Sequence, residues 1–225
     1  MTMPRIALIT GASTGFGQAT ATLLAKQGFR VFGTSRAAVP SGSASYELLP
    51  LDVRSDLSVQ TCIETVLQRT GRIDLLVNNA GYAQGGALEE NTISDAQAQF
   101  DTNVFGALRL INAVLPTMRH QGHGHIISIS SMLGVVSLPY LSLYSSSKFA
   151  LEGMVEGLRN EVHPFNIAVS LVEPTSFKTP FVMQTPAQPL TDYAPFRSAS
   201  SRKYSRRYAV RSNLPISVSA LATWF

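Results

Sequence analysis

The sequence predicts an α/β fold: a single doubly wound (Rossmann-type) parallel sheet flanked by helices on both faces. Short apolar runs alternate with longer segments in which apolar residues recur at helical spacing. This alternation is typical of βαβ units, whose strands lie parallel and are covered on both sides. The first run, Ile6 to Ile9, also leads into a glycine-rich turn. With 225 residues, 45% of them hydrophobic, the chain is long enough to bury one such core.

Six strands and four helices are predicted in alternation. The strands cover residues 5–10, 29–34, 46–50, 73–77, 124–130 and 167–172, and the helices 15–27, 56–70, 92–119 and 143–163. Right-handed crossovers bring the carboxyl ends of parallel strands to one edge, where open α/β sheets bind ligands. We expect a dinucleotide-binding and catalytic domain over residues 1–182 and a divergent lid and tail over 183–225.

The glycine-rich turn predicts a dinucleotide site. Gly11, Gly15 and Gly17 follow the first strand and open a helix. Glycines let the backbone turn sharply and approach a phosphate, and the free N–H groups of a helix N-terminus favour the anion. The spacing Gly-x-x-x-Gly-x-Gly differs from the commoner Gly-x-Gly-x-x-Gly. The strand before it and the helix after it favour dinucleotide binding over a plain turn.

The end of the second strand predicts which dinucleotide binds. An NAD site places a carboxylate there to accept hydrogen bonds from the ribose 2′-hydroxyl. No Asp or Glu occurs between Gly11 and Glu47, and Ser35 and Arg36 stand at this position instead. A hydroxyl and a guanidinium suit a 2′-phosphate, so we predict NADP(H). The alternative is that Arg36 is a solvated loop cation.

Tyr144 and Lys148 form a candidate acid–base pair. They stand four residues apart in a predicted helix, so both lie on one face of it. A phenol ordinarily loses its proton near pH ~10, and a nearby ammonium favours the phenolate, which lowers that pKa. Such a pair can exchange a proton with an alcohol or a carbonyl. Taken alone, the spacing also fits a buried tyrosine beside a lysine whose charge reaches solvent.

Six motifs in register resemble those of the short-chain dehydrogenase/reductase family over residues 5–182. They are Thr10 to Gly17, Leu51-Asp52-Val53, Asn78-Asn79-Ala80-Gly81, Asn103-Val104-Phe105-Gly106, Ser130-Ser131 and Tyr144 to Lys148, with Ser131 thirteen residues before Tyr144. The run from Tyr144 to Gly153 is similar to that of hydroxysteroid and retinol dehydrogenases. The resemblance implies an NADP(H)-dependent oxidoreductase that interconverts an alcohol and a carbonyl by hydride transfer, with a bulky apolar substrate.

The resemblance also assigns roles to individual residues. Tyr144 is the implied proton donor or acceptor, Lys148 tunes it and holds the nicotinamide ribose, and Ser131 binds the substrate oxygen. Asn103 matches the asparagine that steadies a water linked to the lysine. Asp52 and Val53 are placed beside the adenine, and Asn79 to Gly81 under the adenosine ribose. The implied cofactor-binding residues are Gly11, Ser13, Thr14, Gly15, Phe16, Gly17, Ser35, Arg36, Asp52, Val53, Asn79, Ala80, Gly81, Tyr144, Lys148, Pro174 and Thr179.

The chain departs from the family pattern near its C-terminus. Thr175 stands where members carry glycine. Residues 183–225 hold six basic side chains and one acidic one, against 12 basic and 13 acidic elsewhere, so the basic character belongs to this segment. We take a truncated or frame-altered C-terminus as a hypothesis. The alternative function is a catalytically weak or inactive NADP(H)-binding module with a regulatory or interaction role.

Other functions find less support. His120, His123 and His125 lack a nearby cysteine or carboxylate, so we predict no metal site. A Ser–His–Asp hydrolase lacks its Gly-x-Ser-x-Gly turn. The basic tail has few interleaved aromatics, which favours a solvated or disordered tail over nucleic-acid binding. The sequence contains no apolar stretch of about 18 residues, so we expect no membrane span.

The cysteine content and two of the helices lead to expectations on location and assembly. The single Cys62 fits a reducing, cytoplasmic location. For assembly, the resemblance implies a homodimer formed by an apolar stripe on the helices over 92–119 and 143–163. The stripe comprises Phe100, Val104, Leu108, Phe149, Met154 and Leu158.

Overall fold

The computed structural model describes residues 3–37, 45–175 and 181–195, and a parallel sheet of six strands forms its centre. Counting two short strands outside this sheet, the strands in chain order are β1 Ile6–Ile9, β2 Arg30–Ser35, β3 Glu47–Pro50, β4 Leu75–Asn78, β5 Ala83–Gln84, β6 Gly124–Ile129, β7 Ile167–Val172 and β8 Met183–Gln184. The central sheet has the order β3-β2-β1-β4-β6-β7, and β5 pairs with β8 in a separate two-stranded parallel sheet. The direction of winding reverses between β1 and β4. The doubly wound fold is therefore confirmed.

Helices connect the strands. They are α1 Gly15–Lys26, α2 Asp56–Thr70, α3 Ile93–Phe100, α4 Gly106–Gln121 and α5 Ser142–Val162. Ser55 caps α2, because its side chain accepts a hydrogen bond from Ser58 N. Thr92 and Asp95 form a reciprocal capping box at the start of α3. None of these helices, as far as the structure describes the chain, is long and apolar enough to cross a membrane.

The predicted single helix over 92–119 is wrong in one respect. A π-helical turn, Asp101–Phe105, separates α3 from α4, and Gly106 N donates to Asp101 O across it. Such a turn holds one residue more than an α-helical turn and is frequent at functional sites. Asn103 lies within it and is 2% exposed.

The core has two layers because successive strand residues point to opposite faces of the sheet. One layer joins the sheet to α2, α4 and α5 through Leu8, Phe32, Leu76, Leu110, Val114, Leu151 and Val155. The other joins it to α1 through Ala7, Ile9, Ala21, Leu24, Val31 and Val77. The helices thereby hold the sheet from both faces and fix the positions of the strand ends that carry the site.

The proposed dimer stripe is only partly available. Val104 and Leu158 are buried within the chain itself, at 7% and 8% exposure. Phe100 and Met154 are half-buried. Leu108 and Phe149 remain exposed.

At the amino ends of the strands, Asp74 forms a polar cluster. Its carboxylate accepts a hydrogen bond from Ile6 N at 2.7 Å, contacts Arg72 and lies 3.0 Å from His123 Nε2. His125 Nε2 lies 2.9 Å from Ser170 Oγ. Two of the three clustered histidines therefore have partners within the fold, on the edge opposite the glycine turn.

Candidate active site

Three neighbouring strands end in the predicted site residues. The glycine turn follows β1, Asn79 follows β4 and Ser131 follows β6, and these strands are adjacent in the sheet. Parallel strands place these ends at the same edge, at the point where the winding reverses. This is where ligands bind in open α/β sheets.

Asn79 fastens the glycine turn to the end of β4. Its Nδ2 donates to Thr10 O at 2.8 Å and to Gly11 O at 3.1 Å, while its own N–H donates to Thr10 Oγ1 at 2.9 Å. Gly17 packs against this assembly, and a Cβ there would lie 2.3 Å from Gly11 O. The side chain of Asn79 therefore shapes the turn, beyond the ribose contact implied for this motif.

The turn fits a pyrophosphate. Gly11 and Gly15 have φ of 64° and 56°, values that favour glycine. Thr14 is the N-cap of α1, and within the described residues its side chain makes no capping hydrogen bond. The first turn of α1 holds no acidic residue that would repel an anion. Backbone N–H groups and the helix dipole are thus available to phosphate oxygens.

An unexpected ion pair follows β3, where the sequence predicts the adenine. Arg54 binds the Asp52 carboxylate in a bidentate manner, with Nε–Oδ1 at 3.0 Å and Nη2–Oδ2 at 2.7 Å. These hydrogen bonds, with smaller help from the charge of Arg36, lower the pKa of Asp52 to about 2. An adenine amine that bound this carboxylate would have to share it with Arg54. The opposite charge two residues after Asp52 was the signal for this pair in the sequence.

Tyr144 and Ser131 meet at the carboxyl end of β6. The Tyr144 side chain is buried, and the Ser131 hydroxyl lies near enough to act on its pKa. Ser131 Oγ also accepts from Leu133 N at 3.1 Å, which orients the hydroxyl. Burial raises the pKa of Tyr144, and the Ser131 hydroxyl only partly offsets this rise. The direction is the reverse of the predicted one, because burial was not visible in the spacing.

Lys148 lies one helical turn after Tyr144 and is 6% exposed. Its Nζ donates to Ile129 O at 2.7 Å and lies 5.8 Å from the centroid of the Tyr144 ring. Burial lowers the pKa of Lys148 to about 8, against the opposing charge of Glu152. The ammonium is therefore charged at neutral pH and points to the end of β6.

Asn103 joins the site through its side chain. Oδ1 accepts from Tyr82 N at 3.2 Å, and Nδ2 donates to Tyr82 O at 3.0 Å and to Ser147 Oγ at 3.1 Å. Ser147 Oγ in turn donates to Tyr144 O at 2.7 Å. The carboxamide thus ties the segment after β4 to α5, the helix that carries Tyr144 and Lys148. Its contacts are with Tyr82 and Ser147, so the predicted link to the lysine stays a prediction.

Apolar side chains surround the Tyr144 ring. Those packed with it are Ala83, Met132, Leu133, Leu138 and Leu141. The Phe181 ring meets Tyr144 edge-on, with centroids 5.9 Å apart. These neighbours belong to no motif, and the sequence analysis missed them.

The remaining predicted residues fall as follows. Ser35 ends β2 and Arg36 follows it, exposed, with its charge close enough to Asp52 to act on it. Val53 packs against Gly106, where a Cβ would lie 2.8 Å from Val53 Cγ2. Pro174 O accepts from Met132 N at 3.1 Å, beside the Ser131 loop. Ser13, Phe16, Ala80 and Gly81 belong to the same edge, and Thr179 lies outside the described residues.

The chain is similar to curated dehydrogenases and reductases. It is 47% identical over 196 residues to 3-ketodihydrosphingosine reductase of Bacteroides thetaiotaomicron, covering 85% of this chain and 72% of that protein. It is 41% identical over 191 residues to retinol dehydrogenase 8 of Bos taurus, covering 79% and 61%. The chain thus spans roughly two thirds of the length of these relatives.

Solved structures agree with the fold. A short-chain dehydrogenase from Streptomyces avermitilis superposes with a TM-score of 0.82 at 38% identity, covering 89% of this chain and 79% of that one. ElxO with NADP bound gives 0.75 at 31%, covering 79% and 76%. NAD⁺-bound xylitol dehydrogenase gives 0.73 at 30%, covering 77% and 70%. The family described as short chain dehydrogenase matches residues 5–190. With this match, the strand order and the site at the strand ends, the chain belongs to the short-chain dehydrogenase family of oxidoreductases.

Proposed function

We propose that this chain is an NADP(H)-dependent oxidoreductase that interconverts an alcohol and a carbonyl, with Tyr144 as its acid–base residue. One observation carries the proposal: the buried Tyr144 side chain lies near the Ser131 hydroxyl and the Lys148 ammonium, at the edge that holds the glycine turn. NADPH, when bound at this edge, supplies the hydride. The residues of the chain supply the proton and the binding of the substrate oxygen.

The proton step follows from the burial of Tyr144. Because burial raises its pKa, the phenol keeps its proton at neutral pH and can give it to a carbonyl oxygen that gains negative charge. The Ser131 hydroxyl hydrogen-bonds to the same oxygen and stabilises the charge as it develops. The Lys148 cation favours the phenolate that remains. In the oxidation direction Tyr144 accepts the proton instead.

Preference for NADP(H) is supported by the end of β2. Ser35 and Arg36 offer a hydroxyl and a cation to a 2′-phosphate, and the sequence from Gly11 to Tyr46 holds no carboxylate. Similar structures include proteins bound to NADP and one bound to NAD⁺. The charge at Arg36 is therefore the feature to test.

An apolar substrate is supported by the wall around Tyr144. The reacting carbonyl would lie against Leu133, Leu141 and Phe181, where apolar groups are favourably buried. Two relatives are named for 3-ketodihydrosphingosine and retinol. We propose a carbonyl on a bulky or long apolar chain.

Steady-state turnover tests the mechanism. With NADPH and a panel of 3-ketodihydrosphingosine, retinal and a small polar ketone, we expect the apolar substrates to react fastest. Tyr144→Phe and Lys148→Ala should lose about 10³-fold in kcat/KM. Lys26→Ala, on the exposed end of α1, is the matched control. Full activity in Tyr144→Phe overturns the mechanism. NADPH binding without turnover of any carbonyl or alcohol supports the non-catalytic module instead.

Direct binding tests the cofactor. Arg36→Ala should weaken NADPH binding about tenfold and leave NADH binding unchanged, because only NADPH carries the 2′-phosphate. Arg36→Lys keeps the charge and should retain much of the preference. Equal affinity of the wild type for both cofactors contradicts the proposal.

A further inference from the structure

The segment over residues 181–195, here called the lid, adds a strand to a segment that follows β4. β8 in the lid pairs with β5, through Ala83 N to Val182 O at 3.0 Å and Gly85 N to Gln184 O at 2.9 Å. The β5 strand is only two residues long. Its own position must therefore be fixed by something other than a sheet.

Gln99 fixes the opposite edge of β5. This α3 residue has no exposed surface, its Oε1 accepts from Gln84 N at 2.7 Å, and its Nε2 donates to Tyr82 O at 2.8 Å. A carboxamide carries a carbonyl acceptor and N–H donors, as the peptide group does. The side chain of Gln99 can therefore form the hydrogen bonds that a neighbouring strand would form with β5. The N–H groups of Ala83 and Gly85 then face the lid. β5 is paired on both edges, by a side chain on one and by the lid on the other.

Glu90 fixes the far end of the lid. Its Oε1 accepts from Leu190 N at 2.7 Å, and its Oε2 accepts from Ala87 N at 2.7 Å. Between the two anchors, Pro186 packs on Gly86, where φ is 113° and a Cβ would lie 2.3 Å from Pro186 Cγ. Glu90 is 9% exposed, so its carboxyl group accepts these hydrogen bonds where little water reaches it.

The two anchors act on the substrate side of the site. Phe181 stands two residues before β8 and meets the Tyr144 ring, so the register of the lid decides where this wall lies. Both side chains bond to the backbone of the lid or of the segment that carries it. An apolar side chain could fill the buried position of Gln99 on α3 equally well, but it would form no hydrogen bond with these backbone groups.

We propose that Gln99 and Glu90 are positioning residues that hold the lid over Tyr144 and thereby set the affinity for the carbonyl substrate. Neither residue takes part in the proton transfer or in nucleotide binding. The effect on substrate rests on the proposed function, whereas the holding of the lid does not.

Lid cleavage and kinetics test the proposal together. Chymotrypsin has exposed targets in the lid at Phe181, Met183 and Leu190. In Gln99→Met, which keeps the volume and removes both hydrogen bonds, we expect lid cleavage at least tenfold faster and the substrate KM about tenfold higher. The Kd for NADPH and the kcat should change by less than about threefold, because the proton-transfer and nucleotide groups stay in place.

Matched variants complete the test. Gln97→Met alters an exposed glutamine of the same helix and should change nothing. Glu90→Gln keeps an acceptor for Leu190 N and should lose less than Glu90→Met.

Three outcomes overturn the proposal. They are unchanged lid cleavage in Gln99→Met and Glu90→Met, a loss of kcat without a rise in the substrate KM, and a loss of NADPH binding that parallels the loss of substrate binding. If Gln99→Met lowers the thermal stability of the whole chain, Glu90→Met decides. If no carbonyl is turned over by the wild type, the proposed function fails, and the cleavage rates still decide the role of Gln99 and Glu90.

Discussion

Lys148 is a buried cation on which the proposed proton transfer by Tyr144 depends. Its side chain has one described hydrogen bond, to Ile129 O, and burial lowers its pKa to about 8. At pH 7 the group is therefore charged in a site that disfavours charge. In the proposed mechanism this charge favours the Tyr144 phenolate, and its burial lowers the stability of the fold.

Replacing Lys148 should stabilise the fold. The folded pKa, about 8, lies below the ordinary 10.5, so the unfolded chain binds more protons between these values and wild-type stability rises as pH increases through this window. Lys148→Met removes the charge and keeps the length. We expect its free energy of unfolding at pH 7 to exceed that of the wild type by a margin of up to about 3 kcal/mol. Urea unfolding at pH 7 and 10 checks this, and a margin that does not shrink at pH 10 contradicts it.

The same titration should appear in the kinetics. The value of kcat/KM for NADPH reports groups of the free enzyme. As pH rises through about 8, Lys148 loses its charge, so this value should fall. The phenol of Tyr144 has a raised pKa and should lose its proton only at higher pH. A pH profile that stays flat to pH 10 would remove Lys148 from this role.

At this scale the sequence predicted identities better than environments. Tyr144 and Lys148 were proposed from their spacing and Ser131 from the family resemblance, and the structure places all three near the carboxyl end of β6. The direction of the Tyr144 pKa could not be predicted, because burial depends on Phe181 and other residues distant in the chain. Gln99 carried no signal, since an isolated glutamine in a helix is ordinary.

Among the elements, the amino ends of the central strands depend on Asp74. Its carboxylate joins β1, through Ile6 N, to Arg72 and His123, which precede β4 and β6. Burial alone would raise the pKa of Asp74. The hydrogen bonds from Arg72, Ile6 N and His123, with the charge of Arg72, outweigh it and lower the pKa.

Asp74→Ala should destabilise the sheet. It leaves the buried Ile6 N–H without its acceptor, so we expect a loss of about 2 kcal/mol in the free energy of unfolding at pH 7. Because the folded pKa is depressed, this stability is present above the unfolded value and is lost as pH falls through the folded one. The difference between variant and wild type should therefore narrow in acid. Urea unfolding at pH 7 and 3 measures this difference, with Glu161→Ala, at an exposed position of α5, as control. Equal stability at pH 7 would be inconsistent with the cluster's role.

Elements with strong periodicity were predictable and short ones were not. The six strands of the central sheet appear where apolar runs placed them. The π-helical turn at 101–105 shifts the helix by a single residue, which leaves the apolar spacing nearly unchanged. β5 and β8 hold two residues each, so their pairing follows from tertiary contacts and not from pattern.

For the whole molecule, an apolar surface remains on α4, α5 and the turn before α4. Phe105, Leu108 and Phe149 are 47%, 37% and 46% exposed. Exposed apolar side chains grouped on one face are typical of subunit interfaces. A two-fold interface uses the same surface on both copies, so one face suffices for a dimer.

Light scattering at micromolar concentration tests assembly. We expect the wild type to have twice the 24.3 kDa mass of one chain. Leu108→Glu should yield the monomer, because a charge opposite its own copy is repelled and desolvated. Leu57→Glu, 74% exposed on α2, should remain dimeric. A wild-type mass near 24 kDa rules the dimer out.

The parallel pairing of β5 with β8 has a consequence for the order in which the site assembles. It joins Ala83 to Met183, one hundred residues apart, through a ladder of two residues. Closing so long a loop costs entropy, and a ladder of two residues forms too few hydrogen bonds to offset that cost by much. The β5–β8 pair should therefore form after the central sheet and open before it. The amide protons of Ala83 and Gly85 should exchange with solvent through openings that leave Thr10 N–H protected on Val77 O. A molecule caught between the two states would hold its nucleotide edge intact while its substrate side is still unformed.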